Sequence, residues 1–183
     1  MGSCILLVDD EQNVLSALKR ELADEPYEIF TALNGEEALN LVSARNFKII
    51  ISDERMPGMD GASFLAAAKE ISPSSVRMML TGHASIDATM RAVNDGEIYR
   101  FFTKPWNSLE LKQAIKSAIE RYDLEDENRR LLKLVKRQTQ ELRALETHHP
   151  GISRLRKDRG GALILPEISD DEVRQLMDDY GRN

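Results

Sequence analysis

The sequence contains one cysteine, Cys4, among its 183 residues. A single cysteine excludes an internal disulfide and a cysteine zinc cluster, so we expect Cys4 to act as a small apolar residue at the start of a strand. No apolar stretch approaches the roughly 20 residues that a membrane-spanning helix requires. The first residues also lack the basic region and cleavage site of a secretory signal. These absences predict a cytoplasmic protein without a membrane segment.

A concentrated excess of positive charge is also missing. The chain carries 25 lysine and arginine residues against 31 aspartate and glutamate residues, which gives a formal net charge of −6. Basic side chains are spread along the chain rather than grouped into the patch that a nucleic-acid interface requires. Direct binding to DNA or RNA is therefore not expected.

What the sequence does contain is a regular alternation of short apolar segments and helical patterns. Residues 48–53 read Lys-Ile-Ile-Ile-Ser-Asp, and three consecutive isoleucines indicate a central strand that is buried on both faces. Asn34 is a candidate cap for the second helix. The alternation predicts an α/β fold, a doubly wound parallel sheet of five strands. The predicted strands are residues 4–8, 27–32, 48–53, 75–81 and 97–104, and the predicted helices begin near residues 11, 34, 62, 85 and 108.

The predicted strands end on charged or hydroxyl side chains, namely Asp9 and Asp10, Asp53, Thr81 and Lys104. In a doubly wound sheet the carboxyl ends of the strands meet at one edge, where ligands bind. Carboxylates that lie close together repel one another unless a cation intervenes, and oxygen ligands of this kind suit Mg²⁺. A lysine and a hydroxyl near the same point match the requirements of phosphoryl transfer, and a strand-end aspartate is a suitable acceptor.

These residues stand in a recognisable order of motifs. The motifs are Asp9-Asp10-Glu11, Asp53 before Met56-Pro57-Gly58-Met59-Asp60-Gly61, then Thr81-Gly82 and Lys104-Pro105. Over residues 1–122 the chain resembles the receiver domain of two-component response regulators. It is closest in character to receivers of HD-GYP-type or hydrogenase-type regulators. The resemblance implies a flavodoxin-like sheet with strand order 2-1-3-4-5.

The resemblance also implies roles for individual residues at the acidic site. Asp53 would be the phosphoacceptor, taking phosphate from a sensor histidine kinase or a phosphotransfer protein. Asp10, Asp53 and the backbone carbonyl of Arg55 would bind Mg²⁺ directly, and Asp9 would act largely through water. The side chains of Arg55 and His83 would modulate how fast the phosphate hydrolyses.

A second group of residues would respond to the phosphate. Lys104 would bridge to it, Thr81 would move to bond it, and Phe101 would turn inward as the switch aromatic. The Lys104–Pro105 bond is expected to be cis, as in the family. Simpler interpretations remain open, because Thr81 could be only a strand-end cap and Phe101 only a core residue. Asp9 or Asp10 could likewise only cap the first helix, and Lys104 could be a solvated charge.

From Ser108, a candidate N-cap, a helical pattern runs without glycine or proline to Pro150. Apolar or amide side chains recur along it at alternating spacings of four and three residues. This heptad pattern predicts a two-stranded coiled coil and a homodimer, with Asn128 holding the register; a long solvated helix is the alternative. The seam consists of Leu124, Asn128, Leu131, Val135, Gln138, Leu142 and Leu145. The predicted divisions are a receiver domain over 1–122, a coiled-coil extension over 123–147 and a small hairpin and helix over 148–183.

Three functions are compatible with these features. The first is a response regulator that signals through phosphorylation-dependent dimer or partner contacts, with an unknown output partner. The second is the regulatory N-terminal part of a larger or degenerate output protein, either a cyclic-di-GMP phosphodiesterase or a transcription regulator. The third is an aspartyl-phosphate phosphohydrolase, which needs an aspartate where Arg55 stands. We therefore expect no enzyme activity beyond Mg²⁺-dependent self-phosphorylation and self-dephosphorylation.

Overall fold

The computed structural model of the chain describes residues 2–82, 98–148, 156–157 and 163–164. The predicted helix near residue 85, the modulating residue His83 and the predicted C-terminal helix lie outside the described residues. No helix among the described residues is both long enough and apolar enough to cross a membrane.

A five-stranded parallel sheet forms the centre of the fold, and its strand order is β2-β1-β3-β4-β5. This order and the helices between the strands confirm the predicted doubly wound fold. The second strand was predicted to the residue, and the third and fourth each begin one residue later than predicted. The elements are β1 (Ser3–Val8), α1 (Gln12–Glu21), β2 (Tyr27–Ala32), α2 (Gly35–Ala44), β3 (Ile49–Asp53), α3 (Gly61–Ile71), β4 (Val76–Thr81), β5 (Arg100–Thr103), α4 (Ser108–His148), β6 (Arg156–Lys157) and β7 (Leu163–Ile164).

Strand β3 lies between β1 and β4, and all five of its residues are buried. Its isoleucines face apolar side chains on both sides of the sheet, which explains why the strand is apolar up to Ser52. In the register of the sheet, Val8 pairs with Ser52 and Asp53 pairs with Leu80. The ends of β1, β3 and β4 are therefore level with one another.

Two apolar clusters cover the two faces of the sheet. Side chains of α1 and the first turns of α4, such as Leu15 and Ile115, form the cluster on one face. Side chains of α2 and α3, such as Ala38 and Phe64, form the cluster on the other. Burial of this apolar area is the main force that holds the layers together.

Side-chain caps start helices α2 and α4, and the predicted cap was right for α2 and wrong for α4. The side-chain oxygen of Asn34 accepts a hydrogen bond of 2.8 Å from the backbone N–H of Glu37, as predicted for the cap of α2. Ser108 was predicted to cap the last long helix, but Asn107 does so. Its side-chain oxygen accepts from the backbone N–H of Glu110 at 3.1 Å, and Ser108 is already helical.

Helix α4 is a single helix of 41 residues. Its first turns are buried against the sheet, and its later apolar side chains, from Leu124 to Leu145, are exposed. The chain divides into two compact units, Met1–Arg130 and Leu131–Asn183. In the second unit β6 and β7 pair in antiparallel fashion, as a hairpin requires. The predicted boundaries at residues 122 and 147 stay predictions.

Candidate functional site

The carboxyl edge of the sheet brings three charged side chains into direct contact. Asp9 follows β1, Asp53 is the last residue of β3, and Lys104 follows β5. The ammonium nitrogen of Lys104 lies 2.7 Å from Oδ2 of Asp9 and 2.5 Å from Oδ1 of Asp53. Residues from three separate parts of the chain meet here because the parallel strands end at the same level.

The second oxygen of each carboxylate is held by the backbone. Oδ1 of Asp9 accepts a hydrogen bond of 2.9 Å from the N–H of Glu11, and Oδ2 of Asp53 accepts one of 2.8 Å from the N–H of Arg55. Each carboxylate is therefore fixed between an ammonium group and an amide. This arrangement orients both groups before any ligand binds.

The pKa values of Asp9 and Lys104 are both shifted in this site. Asp9 is fully buried, and the loss of solvent raises the pKa of its carboxyl although Lys104 and the Glu11 amide act in the opposite direction. Burial alone would lower the pKa of Lys104, but its contacts with Asp53 and Asp9 together raise it. Two buried carboxylates face one ammonium group, so the site carries a net negative charge when all three groups are ionised.

The loop after β3 is anchored by a close approach of two backbone segments. The N–H of Gly61 donates a hydrogen bond of 2.9 Å to the carbonyl oxygen of Glu54. A Cβ added to Gly61 would lie 1.9 Å from the carbonyl oxygen of Asp53, so only glycine fits at the start of α3. The carboxylate of Asp60 caps α3 through the N–H of Ser63, and this bond lowers the pKa of Asp60. The turn thereby fixes the backbone on which Asp53 lies.

Thr81 makes a contact that the sequence did not suggest. Its hydroxyl, at the buried end of β4, donates a hydrogen bond to the carboxylate oxygen Oε2 of Glu54. The only signal in the sequence was the position of Glu54, an acid directly after Asp53. That position gives no indication of which neighbour the side chain contacts.

Other predicted site residues are more exposed than this group. The side chains of Asp10 and Arg55 are exposed. Phe101 is 39% exposed, because its neighbour Phe102 packs into the core and adjacent strand residues point to opposite faces. The inward turn of Phe101 in response to the phosphate stays a prediction. The Lys104–Pro105 peptide bond is cis.

The binding of Mg²⁺ by the predicted carboxylates Asp9, Asp10 and Asp53 stays a prediction. The described residues contain no group of three or more histidine, cysteine, aspartate or glutamate side chains arranged to hold a metal ion. Asp10 is exposed, and Lys104 contacts both Asp9 and Asp53. The donor chemistry fits Mg²⁺, because the candidate ligand atoms at this edge are carboxylate and carbonyl oxygens and the carboxylates outnumber the one ammonium group.

The sheet order, the buried acids after β1 and β3 and the lysine after β5 together define a phosphate-signalling domain of the receiver class. Residues 5–116 match the family profile described as the response regulator receiver domain. The chain therefore belongs to the receiver-domain family of response regulators, as the motifs predicted. Receiver domains of this family generally bind Mg²⁺.

Individual relatives agree with this assignment. The hydrogenase transcriptional regulatory protein HoxA of Bradyrhizobium diazoefficiens is 34% identical over 123 residues, 67% of this chain and 25% of its own length. The C4-dicarboxylate transport transcriptional regulatory protein DctD of Rhizobium meliloti is 31% identical over 173 residues, 94% of this chain and 36% of its own length. The chain thus spans about a quarter to a third of these curated relatives.

Among solved structures, a protein described as adenylate cyclase from Rhodopirellula baltica is 41% identical, with a TM-score of 0.69. The match covers 73% of this chain and 98% of that one.

Proposed function

We propose that Asp53 is the phosphoacceptor of this receiver, and that it takes a phosphoryl group from a phosphohistidine of a sensor histidine kinase or a phosphotransfer protein. In this step the histidine N–P bond breaks and a bond forms between phosphorus and a carboxylate oxygen of Asp53. The observation that carries the proposal is the position of Asp53, nearly buried at the end of the central strand with the Lys104 ammonium 2.5 Å away. A carboxylate fixed beside a cation suits transfer chemistry that depends on positioning and charge neutralisation.

Three groups of this chain would hold Mg²⁺: the carboxylates of Asp10 and Asp53 and the backbone carbonyl of Arg55, with Asp9 acting through water. The ion supplies neutralisation of the negative charge on the transferring phosphoryl oxygens. Lys104 would bond a phosphoryl oxygen after transfer, since its ammonium already lies against Asp53. Self-phosphorylation from small phosphodonors and self-dephosphorylation belong to the same proposal.

Residues beside the acceptor would set the lifetime of the phosphate. The Arg55 side chain is exposed two residues after Asp53, where it could shield the phosphoryl group from water or pair with it. His83 would act from the position two residues after Thr81. The hydroxyl of Thr81 and the ring of Phe101 would change position on phosphorylation and so alter the surface around β5.

We further propose that the signal leaves through the helix that α4 extends beyond the receiver. The exposed apolar seam from Leu124 to Leu145 supports pairing with a second copy as a coiled coil, because such a stripe is costly to leave in water. The receiver would then comprise residues 1–122, the coiled coil 123–147 and a small tail 148–183. The protein would act in the cytoplasm, and its output would be a contact with a protein partner.

Labelling with acetyl phosphate in magnesium buffer tests the phosphoacceptor. We expect intact-mass measurements to find one added phosphoryl group on the wild-type chain and none on Asp53→Asn. Asp24→Asn is the matched control, because Asp24 is an exposed aspartate away from the sheet edge. Labelling that persists in Asp53→Asn would refute the assignment.

A second candidate is a receiver that regulates a larger output protein. The relatives named above are transcriptional regulators of which this chain matches only 25% and 36%. Under this candidate the phosphate would control a separate output domain rather than contacts of the helical extension. Pull-down experiments that compare wild type with Asp53→Ala, with and without a phosphodonor, separate the two candidates.

A further inference from the structure

Glu54 lies next to the proposed phosphoacceptor and is bound at both its backbone and its side chain. Its N–H donates a hydrogen bond of 2.8 Å to the carbonyl oxygen of Leu80, and its own carbonyl oxygen accepts from Gly61. Its carboxylate accepts the hydroxyl hydrogen of Thr81, which is 1% exposed. These backbone hydrogen bonds hold the Cα of Glu54 in place, and its side chain extends from there to Thr81.

A threonine hydroxyl has one hydrogen to donate. While that hydrogen is donated to the carboxylate of Glu54, it is not available to a phosphoryl oxygen on Asp53. The two acceptors are both anionic, and Asp53 pairs in the sheet with Leu80, the residue before Thr81. Glu54 and a phosphoryl group on Asp53 therefore compete for one donor.

We infer that Glu54 is a positioning residue that holds the hydroxyl of Thr81 in the unphosphorylated receiver and opposes its transfer to the phosphoryl group. This inference rests on the proposed role of Asp53. Phosphorylation replaces the single negative charge of the Asp53 carboxylate with a phosphoryl group that carries up to about two, one residue away from Glu54. That repulsion weakens the hold of Glu54 on Thr81 and favours the exchange of acceptors. The hydrogen bond between Thr81 and Glu54 consequently raises the free energy needed to reach the phosphorylated conformation, and replacement of Glu54 lowers that free energy.

Beryllofluoride tests the role of Glu54, because beryllium trifluoride bound to the Asp53 carboxylate mimics the phosphoryl group. Its affinity for the full chain is measured by calorimetry in magnesium buffer. We expect Glu54→Ala to bind beryllofluoride about tenfold more tightly than wild type, which is the size of effect that one hydrogen bond to a charged group produces. Glu70→Ala removes the same charge from the exposed face of α3, and we expect it to bind as wild type does.

A second pair of variants separates competition from simple charge repulsion. In a Thr81→Val background there is no hydroxyl to compete for. Glu54→Ala should then increase the affinity for beryllofluoride by less than it does beside threonine, because only the loss of the Glu54 charge contributes. Glu54→Gln loses the charge but keeps an acceptor oxygen, and we expect an affinity between those of wild type and Glu54→Ala. Equal gains from Glu54→Ala in the threonine and valine backgrounds, or no gain in either, would overturn the role of Glu54. If wild type does not bind beryllofluoride at all, the proposed phosphoacceptor fails and the inference fails with it.

Discussion

Gly61 and Asp53 are in such close contact that a Cβ on Gly61 would lie 1.9 Å from the carbonyl oxygen of Asp53. We expect Gly61→Ala to destabilise the fold by about 1–3 kcal/mol, because backbone rather than a flexible side chain must move to admit the methyl group. Asp53 moves with that backbone, so labelling by acetyl phosphate should also slow. Chemical denaturation and intact-mass labelling measure the two effects. Gly82→Ala is the control, since nothing lies within 4 Å of an added Cβ there and stability should barely change.

Asp9 should make the free energy of unfolding fall as pH rises, the opposite of what a carboxylate with a lowered pKa does. Its pKa is raised above 3.8 by burial, so in the window between 3.8 and the raised value the folded state binds more protons than the unfolded state. The free energy of unfolding contributed by Asp9 therefore falls as pH rises through that window. We expect Asp9→Asn to be more stable than wild type at neutral pH, with an advantage that shrinks toward acid pH. Thermal unfolding across this pH range would contradict the prediction if the advantage grew on acidification.

The ammonium group of Lys104 lies between two buried carboxylates, and its removal should leave them to repel each other. We expect Lys104→Met to lower the free energy of unfolding by about 2–3 kcal/mol, because one cation is removed from a partly buried ionic group. Added Mg²⁺ should restore more stability to this variant than to wild type, since it can replace the missing charge. Denaturation with and without Mg²⁺ measures the difference. Equal stabilisation of both proteins by Mg²⁺ would contradict the prediction.

The helical extension allows a matched test of dimerisation. Val135 lies in the exposed seam of α4, whereas Gln140 lies on α4 outside the seam. We expect Val135→Asp to convert a dimer to a monomer in light scattering, because a charge in the seam cannot be buried. Gln140→Asp changes the net charge by the same amount and should leave the dimer intact. A wild-type chain that is monomeric in every condition, with and without beryllofluoride, would remove the coiled-coil proposal.

The sequence predicted the layers and the strand order better than it predicted side-chain contacts. Periodicity and the isoleucine run indicated β3, and the level ends of parallel strands were enough to place Asp9, Asp53 and Lys104 at one edge of the sheet. The contact of Glu54 with Thr81 could not be predicted, because it depends on a rotamer rather than on a pattern.

The wrong prediction of the α4 cap has a physical cause of the same kind. Ser108 and Asn107 are both good capping residues, and only the backbone path decides which of them starts α4. Phe101 is exposed here, and the inward turn of its ring in response to the phosphate stays a prediction.

The pairing of β1 with β3 has a practical consequence for measuring the native population. Asp9 and Asp53 belong to segments that become adjacent only after the intervening strand and helices have folded back on the sheet. A denatured chain retains every acidic residue but loses their juxtaposition with Lys104. Incorporation of acetyl phosphate during a urea titration should therefore decline together with the circular dichroism signal, so the label would count correctly folded molecules in any preparation.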